Sequence, residues 1–197
     1  MKRNASVPAI FLDRDGTINE DIGYVSQPHE LVIYPWAAEA IRMINQSGMK
    51  ALVITNQSAV ARGFCSEEEI RTIHNLMTTE LGRYGARLDG IYYCPHHPEV
   101  GQPPYRTVCD CRKPLPGLAL AAAREHNIDL KRSYVVGDKL SDMDLARNIG
   151  ARPALVLTGY GLGTKAMLDR ALSPPQVIAG NLLEAVTTIL RNWRSEK

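Results

Sequence analysis

The feature that most constrains the fold is a short apolar segment that runs directly into a pair of acids. Residues 7–12 are apolar and partly β-branched, which is typical of a strand buried on both faces of a parallel sheet. Asp13, Asp15 and Gly16 follow at once. Ligands of an open α/β sheet bind outside the carboxyl ends of the strands, and a glycine lets the chain turn there. The sequence therefore predicts an α/β fold with two carboxylates at its ligand-binding edge.

The spacing of the two acids suggests covalent chemistry. Side chains one residue apart point in opposite directions in a regular strand, but the backbone turns beyond the strand end and both can then face one site. One carboxylate could attack an electrophile while the other moves the proton. The alternative is a solvated turn, in which aspartate and glycine are common.

The bulk properties set limits on partners and location. The chain has 197 residues, a length that suits one α/β domain with a sizeable core. The net charge of +2 gives no case for nucleic-acid binding by charge. No segment reaches the roughly 18 apolar residues of a membrane span, and no signal-peptide apolar region follows the basic start. We therefore expect a cytoplasmic protein, with no nucleic-acid or membrane partner, and a monomer.

Alternating apolar segments predict the rest of the fold. Strands are expected at 51–54, 90–93, 133–136 and 154–157, and helices at 36–47, 66–81, 118–125, 141–149 and 181–193. This order predicts a Rossmann-like parallel sheet with helices on both faces, in one domain over residues 1–197. Residues 18–32 are too irregular for a core element, and we interpret them as a flap that forms a minimal cap over the site.

Two further segments are given ordinary structural roles. The glycine-rich segment 159–163 looks like a dinucleotide-binding loop, but it follows a late strand and lacks the third glycine of that fingerprint, so a flexible loop is expected. His74 lies in the predicted helix 66–81, and we expect it to lie beside the core face of that helix rather than to bind a ligand.

Three of the four cysteines occur in a pattern that indicates a zinc site in an inserted loop, residues 94–111. The ligands come in two pairs, Cys94 with His96 and Cys109 with Cys111. Three sulfurs and one imidazole suit tetrahedral zinc, and because all four ligands are protein groups the site is expected to be structural. His97 could replace His96. A disulfide is the rival interpretation, although it would leave an odd thiol.

Other polar groups also follow predicted strands or the zinc loop. Residues 55–58, Thr-Asn-Gln-Ser, offer uncharged donors that suit phosphate oxygens, although such residues are common in loops. Arg112 and Lys113 follow the last cysteine of the loop and could balance a dianionic substrate, or they could be a solvated basic pair. Asp138 stands after a glycine at the end of the fourth strand.

The succession Asp-Arg-Asp-Gly-Thr, Thr-Asn-Gln, Arg-Lys-Pro and Gly-Asp resembles the haloacid dehalogenase superfamily of phosphohydrolases over residues 7–157. The zinc loop is similar to that of the branch acting on a heptose bisphosphate, and a sibling branch acting on histidinol phosphate has a similar loop. The resemblance implies Mg²⁺-dependent removal of the 7-phosphate of D-glycero-D-manno-heptose 1,7-bisphosphate through an aspartyl-phosphate intermediate. That step leads to the ADP-heptose of lipopolysaccharide, and the expected partner is the phosphosugar.

The resemblance also implies a role for each matching residue. Asp13 would be the nucleophile and Asp15 the general acid, then the base. Thr55 and Lys113 would hold the transferring phosphoryl oxygens, because phosphoryl transfer needs positioning and charge neutralisation. Mg²⁺ would be bound by Asp13, the backbone carbonyl of Asp15 and Asp138. Contacts to the sugar would come from Asp21, Ile22, Gly23, Tyr24, Asn56, Gln57, Ser58, Arg112 and Lys139.

Two questions stay open at the level of sequence. Asp142 either reaches Mg²⁺ through water or only orients Lys139. A non-enzymatic phospho-acceptor would also use a strand-end aspartate, a threonine and a lysine. Asp15 favours the enzyme, because an adjacent acid/base speeds hydrolysis of the acyl phosphate that a switch must preserve. A zinc-dependent binding module would leave the acids unexplained.

Overall fold

A computed structural model describes residues 5–168 and 174–195 of the chain. Its centre is a six-stranded, parallel sheet with the strand order β3-β2-β1-β4-β5-β6. The strands are β1 (Ala9–Leu12), β2 (Lys50–Asn56), β3 (Gly90–Cys94), β4 (Tyr134–Gly137), β5 (Arg152–Val156) and β6 (Val177–Ala179). The predicted parallel α/β sheet is confirmed. The short strand β6 was not predicted, because three residues are too few to show a pattern.

Helices cover both faces of the sheet. They are α1 (Ala37–Ser47), α2 (Glu67–Gly82), α3 (Gly117–His126), α4 (Leu140–Asn148), α5 (Gly161–Leu168) and α6 (Leu182–Ser195). Buried side chains of α1, α2 and α6 share one core cluster, and those of α3 and α4 share another on the opposite face. Each fully buried aliphatic side chain stabilises the fold by about 1.5–3 kcal/mol, which holds these amphipathic helices in place.

The prediction of a flexible loop at 159–163 is wrong, because α5 begins at Gly161. A Cβ atom at Gly161 would lie 1.8 Å from the carbonyl oxygen of Val156, so the helix starts in close contact with the end of β5. Glycine has a low helix propensity, and this tertiary contact overrides it.

The predicted flap, residues 18–32, is anchored more firmly than its irregular sequence indicates. Its two ends are paired, since Glu20 N donates to Val32 O at 2.9 Å and Tyr34 N donates to Ile18 O at 3.0 Å. Ile18 is 0% and Val25 1% exposed, so the segment contributes two core side chains. The segment is irregular, as predicted, yet it packs these two side chains into the core.

The strand order creates a site for ligand binding at one edge of the sheet. The chain passes from β1 outward to β2 and β3, then returns to β4 on the other side of β1. This reversal opens a crevice between the carboxyl ends of β1 and β4, where ligands bind in such folds. Asp13 follows β1 and Asp138 follows β4, so both acids stand at the crevice. Within the ranges that the structure describes, no helix is long and apolar enough to cross a membrane.

Candidate active site and metal-binding loop

Lys113 lies at the centre of the crevice and is paired with two acids. Its Nζ atom is 2.7 Å from Asp13 Oδ1 and 2.6 Å from Asp142 Oδ1. Burial alone would lower the pKa of Lys113, but the charges of the two carboxylates raise it. The side chain therefore stays cationic although it is only 5% exposed.

Three buried acids converge beside this lysine. Asp13, Asp138 and Asp142 each place a carboxylate oxygen within 4.8 Å of the others. Asp138 Oδ1 is buried and accepts no hydrogen bond from residues in the described ranges. Burial and the charge of Asp13 raise the pKa of Asp138 to about 7. Such a set of oxygen donors, one of them without a partner, fits a hard cation such as Mg²⁺.

Asp142 makes two contacts in this cluster besides its approach to the other acids. Its Oδ2 atom accepts a hydrogen bond from Lys139 N at 3.1 Å, and its Oδ1 atom faces Lys113. Both contacts hold cationic residues at the crevice, while Asp142 is also one of the three acids that could hold a metal.

Gly16 gives the chain its close approach to the acid cluster. Its φ is +82°, and a Cβ atom there would lie 2.3 Å from Asp138 Oδ2. The Gly16→Ala variant is therefore expected to displace Asp138 and to lower kcat/KM about a hundredfold, because a displacement of about 1 Å at an active site can cost that much activity.

Gly48 is a matched control, since its φ is +81° with nothing within 4 Å of a Cβ. Both variants carry about 1–2 kcal/mol of backbone strain, measurable as Tm, but only Gly16→Ala should lose activity. Equal activity in the two variants would contradict the close packing on Asp138.

The carboxylate of Asp15 is held in one orientation by three side chains. Arg14 donates from Nη2 to Oδ1 at 2.8 Å, Asn19 donates to Oδ1 at 2.9 Å, and Gln57 donates to Oδ2 at 2.8 Å. Burial would raise the pKa of Asp15, but the charge of Arg14 and the amide hydrogen bonds lower it overall. The side chain is thus ionised, and it is not one of the three converging acids.

Arg14, which binds Asp15, is itself held by His74, and the sequence did not indicate this second contact. Arg14 is 0% exposed, and its Nη1 atom lies 3.3 Å from Nε2 of His74, which is itself buried in α2. Burial and the charge of Arg14 lower the pKa of His74 to about 3, so its ring is neutral and can accept the hydrogen bond. His74 therefore does more than lie beside the core face, and no sequence signal indicated this contact.

The amides after Thr55 act on neighbouring protein groups. Asn56 clamps the backbone of Lys113, because its Oδ1 accepts from Lys113 N at 2.9 Å and its Nδ2 donates to Lys113 O at 3.1 Å. Gln57 Nε2 donates to Thr55 Oγ1 at 2.9 Å as well as to Asp15. The strand end of β2 thus fixes both the cation and the second acid.

A cavity of about 380 Å³ opens beside the acids. Of the nine residues predicted to contact a sugar, all but Ile22 line it. Ile22 is 51% exposed and does not line this cavity, so the geometry gives no support for that contact. Ser141 and Tyr160 line it and were not predicted. A larger groove of about 860 Å³, lined by α1, α2 and residues 28–35, contains none of the converging acids.

Lys139 joins the flap tip to the start of α4. Its Nζ atom donates to Asp21 Oδ2 at 2.7 Å and lies 5.0 Å from the centroid of the Tyr160 ring. Asp21 Oδ1 accepts from Gly23 N at 2.8 Å, so the tip is ordered by both oxygens of one carboxylate. The cavity mouth is therefore closed on one side by an ion pair.

The four predicted zinc ligands converge in the loop after β3. Sulfur atoms of Cys94 and Cys111 are 3.0 Å apart, those of Cys109 and Cys111 are 3.2 Å apart, and His96 Nδ1 lies 3.3 Å from Cys111 Sγ. All the cysteines are free, since a disulfide needs a separation of about 2.05 Å. Burial raises the pKa of Cys94, which a bound cation would reverse. Three sulfurs and one imidazole nitrogen gathered in this way fit Zn²⁺.

His97 does not join this cluster. Its Nδ1 atom accepts hydrogen bonds from Glu99 N and Val100 N, both at 3.1 Å, so it orders the loop locally. Arg112 Nη1 donates to the carbonyl oxygen of His96 at 3.1 Å. The cluster therefore connects directly to a cation that lines the cavity.

Comparison with known proteins identifies the class. A HAD-hydrolase-like family model matches residues 110–185. The D-glycero-beta-D-manno-heptose-1,7-bisphosphate 7-phosphatase of Yersinia pestis is 47% identical over 156 residues, 78% of this chain and 82% of that protein. The protein of the same name from Escherichia coli (strain K12) is also 47% identical, over 82% of this chain and 85% of that protein.

A solved structure shows the same similarity. The D,D-heptose 1.7-bisphosphate phosphatase from B. bronchiseptica, complexed with magnesium and phosphate, has a TM-score of 0.83 at 34% identity, over 94% of this chain and 99% of that one. The fold, the strand-end acids and these matches define a phosphoric monoester hydrolase of the haloacid dehalogenase superfamily. Within it, the chain belongs to the family of the D-glycero-beta-D-manno-heptose-1,7-bisphosphate 7-phosphatases. The non-enzymatic switch and the binding module are thereby excluded as interpretations.

Proposed function

We propose that this enzyme removes the 7-phosphate of D-glycero-beta-D-manno-heptose 1,7-bisphosphate, with Mg²⁺, on the route to the heptose of lipopolysaccharide. The observation that carries the proposal is the convergence of Asp13, Asp138 and Asp142, the first and last of which pair with Lys113, in a chain 47% identical to phosphatases of that name. Histidinol phosphate is the second candidate substrate, from the sequence resemblance.

Asp13 is the proposed nucleophile. An oxygen of its carboxylate attacks phosphorus, the bond to the sugar oxygen breaks, and an aspartyl phosphate forms. Lys113 and Thr55 hold the phosphoryl oxygens, and Lys113 already lies 2.7 Å from Asp13. Bound Mg²⁺, held by Asp13, Asp138 and the Asp15 carbonyl, supplies the charge neutralisation that lets a carboxylate approach a phosphate dianion.

Asp15 is the proposed acid and base. Its ionised carboxylate suits the second step, in which it takes a proton from the water that attacks the aspartyl phosphate. For the first step Asp15 must carry a proton to the leaving sugar oxygen. The negative charge of a bound phosphate raises the pKa of a nearby carboxyl group, so substrate binding favours that protonation.

The proposed zinc ion, held by Cys94, His96, Cys109 and Cys111, has a structural role. The segment between the two ligand pairs is rich in proline and glycine and contains none of the described helices or strands. Arg112 is bound to the carbonyl of His96 and Lys113 follows it, so an ordered loop presents both cations to the cavity. The metal acts through these residues and does not contact the substrate.

Phosphate release from heptose 1,7-bisphosphate and from histidinol phosphate tests the substrate. We expect kcat/KM to be at least about a hundredfold higher for the heptose ester, a free-energy difference of about 2.7 kcal/mol. EDTA should remove activity and added Mg²⁺ restore it. A higher kcat/KM for histidinol phosphate would contradict the proposed substrate. Full activity in metal-free buffer would contradict the proposed role of Mg²⁺.

Arg112 and Lys113 should respond differently to truncation. Arg112→Ala is expected to raise KM about tenfold with little change in kcat, because a ground-state contact is lost. Lys113→Ala should lower kcat at least about a hundredfold, because its charge matters most while the phosphoryl group transfers. Steady-state kinetics separate the two effects. Arg106→Ala, an exposed arginine of the same loop, is the control and should change neither constant. The same kcat loss in both variants would contradict this division.

A further inference from the structure

The ring of Tyr24, at the flap tip, is held by two residues that sequence reasoning did not single out. The guanidinium carbon of Arg62 lies 5.3 Å from the centroid of the Tyr24 ring. The ring of Phe64 lies 5.1 Å from it, at an interplanar angle of 66°. Both geometries are favourable, the first as a cation–π contact and the second as an edge contact between aromatic rings.

These two contacts position the ring of Tyr24. It makes no hydrogen bond to any residue within 5–168 or 174–195, and it is 41% exposed at the cavity mouth. Its neighbour Val25 is buried, so the backbone is anchored there while much of the ring is exposed. Removing either contact would weaken the hold on the ring and let it take up other orientations at the mouth.

Arg62 and Phe64 lie on a well-ordered turn. Arg62 N donates to Ser58 O at 3.0 Å and Phe64 N donates to Ala59 O at 2.9 Å, while Gly63 has a φ of +74° that reverses the chain. The turn continues directly from the strand end that carries Thr55. It thus connects the proposed phosphate-binding end of the cavity to the flap.

We propose that Arg62 and Phe64 are specificity-determining positioning residues that hold Tyr24 over the cavity against the organic part of the substrate. The inference rests on the proposed function only in taking a phosphorylated sugar as that substrate. The phosphate end is bound by other groups, so the two residues act on recognition of the sugar and not on phosphoryl transfer.

The test compares a large and a small substrate. Under the proposal heptose bisphosphate contacts Tyr24, whereas acetyl phosphate is too small to extend to the flap and reports only the transfer to Asp13. Arg62→Ala and Phe64→Leu should each raise KM for the heptose ester about three- to tenfold, as expected for loss of one such ring contact. The ratio of kcat/KM for the two substrates should fall by the same factor. Arg62→Lys, which keeps a cation, should recover part of the loss.

A double variant tests whether Arg62 acts through Tyr24. In a Tyr24→Ala background, Arg62→Ala should have no further effect on KM. Additive effects, or equal losses with both substrates, would overturn the inference. Arg83→Ala is the matched control, because Arg83 pairs with Glu80 at the far end of α2 and should leave the ratio unchanged. If the wild-type enzyme prefers another phosphate ester, the proposed substrate is wrong. The role of Arg62 is then decided by the same comparison made with the preferred ester.

Discussion

Asp13→Asn is expected to lower kcat at least about a thousandfold, as removal of a covalent nucleophile does. An amide cannot attack phosphorus, and the change also removes the charge that faces Lys113 at 2.7 Å. Asn has nearly the same shape as Asp, so the fold should persist, which thermal unfolding checks. The measurement is phosphate release at saturating substrate and Mg²⁺, with mass spectrometry of the trapped enzyme to detect a phosphorylated Asp13 peptide in the wild type alone.

Asp144→Asn is the control for this variant. Asp144 lies on α4, where its side chain is 49% exposed and pairs with Arg147 at 2.7 Å. The variant therefore makes the same Asp-to-Asn change at a position outside the group of converging acids. Its kcat should stay within about twofold of the wild type, since exposed pairs contribute little. An Asp13→Asn variant with near-normal turnover would refute Asp13 as the nucleophile and, with it, the aspartyl-phosphate intermediate.

Cys109→Ser should release the bound zinc and destabilise the loop that carries Arg112 and Lys113. Cys109 Sγ lies 3.2 Å from Cys111 Sγ and 3.6 Å from Cys94 Sγ, so its loss opens one side of the cluster. Because even supporting residues change metal affinity 10–100-fold, we expect a loss of at least about a hundredfold for a direct ligand. Elemental analysis after dialysis should find about one zinc per wild-type chain and none in the variant, with a lower Tm and lower kcat/KM.

Cys65→Ser separates the loss of a ligand from the loss of a cysteine. Cys65 is 8% exposed and packs with Val25 and Ile70, apart from the four ligands. Burying a hydroxyl there costs about 1–3 kcal/mol, yet zinc content should not change. Wild-type protein that contains a disulfide and no zinc, or a Cys109→Ser variant that retains zinc tightly, would contradict the metal site.

Features that depend on neighbouring residues were predictable. The apolar strand followed by Asp13 and Asp15 indicated both the sheet and its ligand-binding edge, because strand burial and the strand end are properties of a few consecutive residues. The convergence of the two Cys/His pairs was predictable for the same reason, since the members of each pair are only two residues apart in the sequence. The helix predicted over 66–81 begins within one residue of the observed α2, because its start is fixed locally by the capping box of Ser66 and Glu69.

Features that depend on packing were not predictable. Gly161 starts a helix because it fits against the end of β5, although its propensity and its neighbours indicated a loop. Ile22 belongs to the flap tip by sequence, but its side chain is exposed in the structure. Its neighbours Asp21 and Gly23 line the cavity and Ile22 does not.

The sequence by itself thus determined the sheet, the succession of acids and cations along it, and the cysteine and histidine pairs of the loop after β3, since each is encoded by a local pattern. Only the tertiary structure decided which side chains meet: His74 with Arg14, Asn56 with the backbone of Lys113, and Arg62 with the ring of Tyr24. These partners are about 40 to 60 residues apart in the chain. Their contacts follow from how the helices and loops pack on the sheet. That packing is the sum of many weak interactions between distant segments, and no short segment contains them.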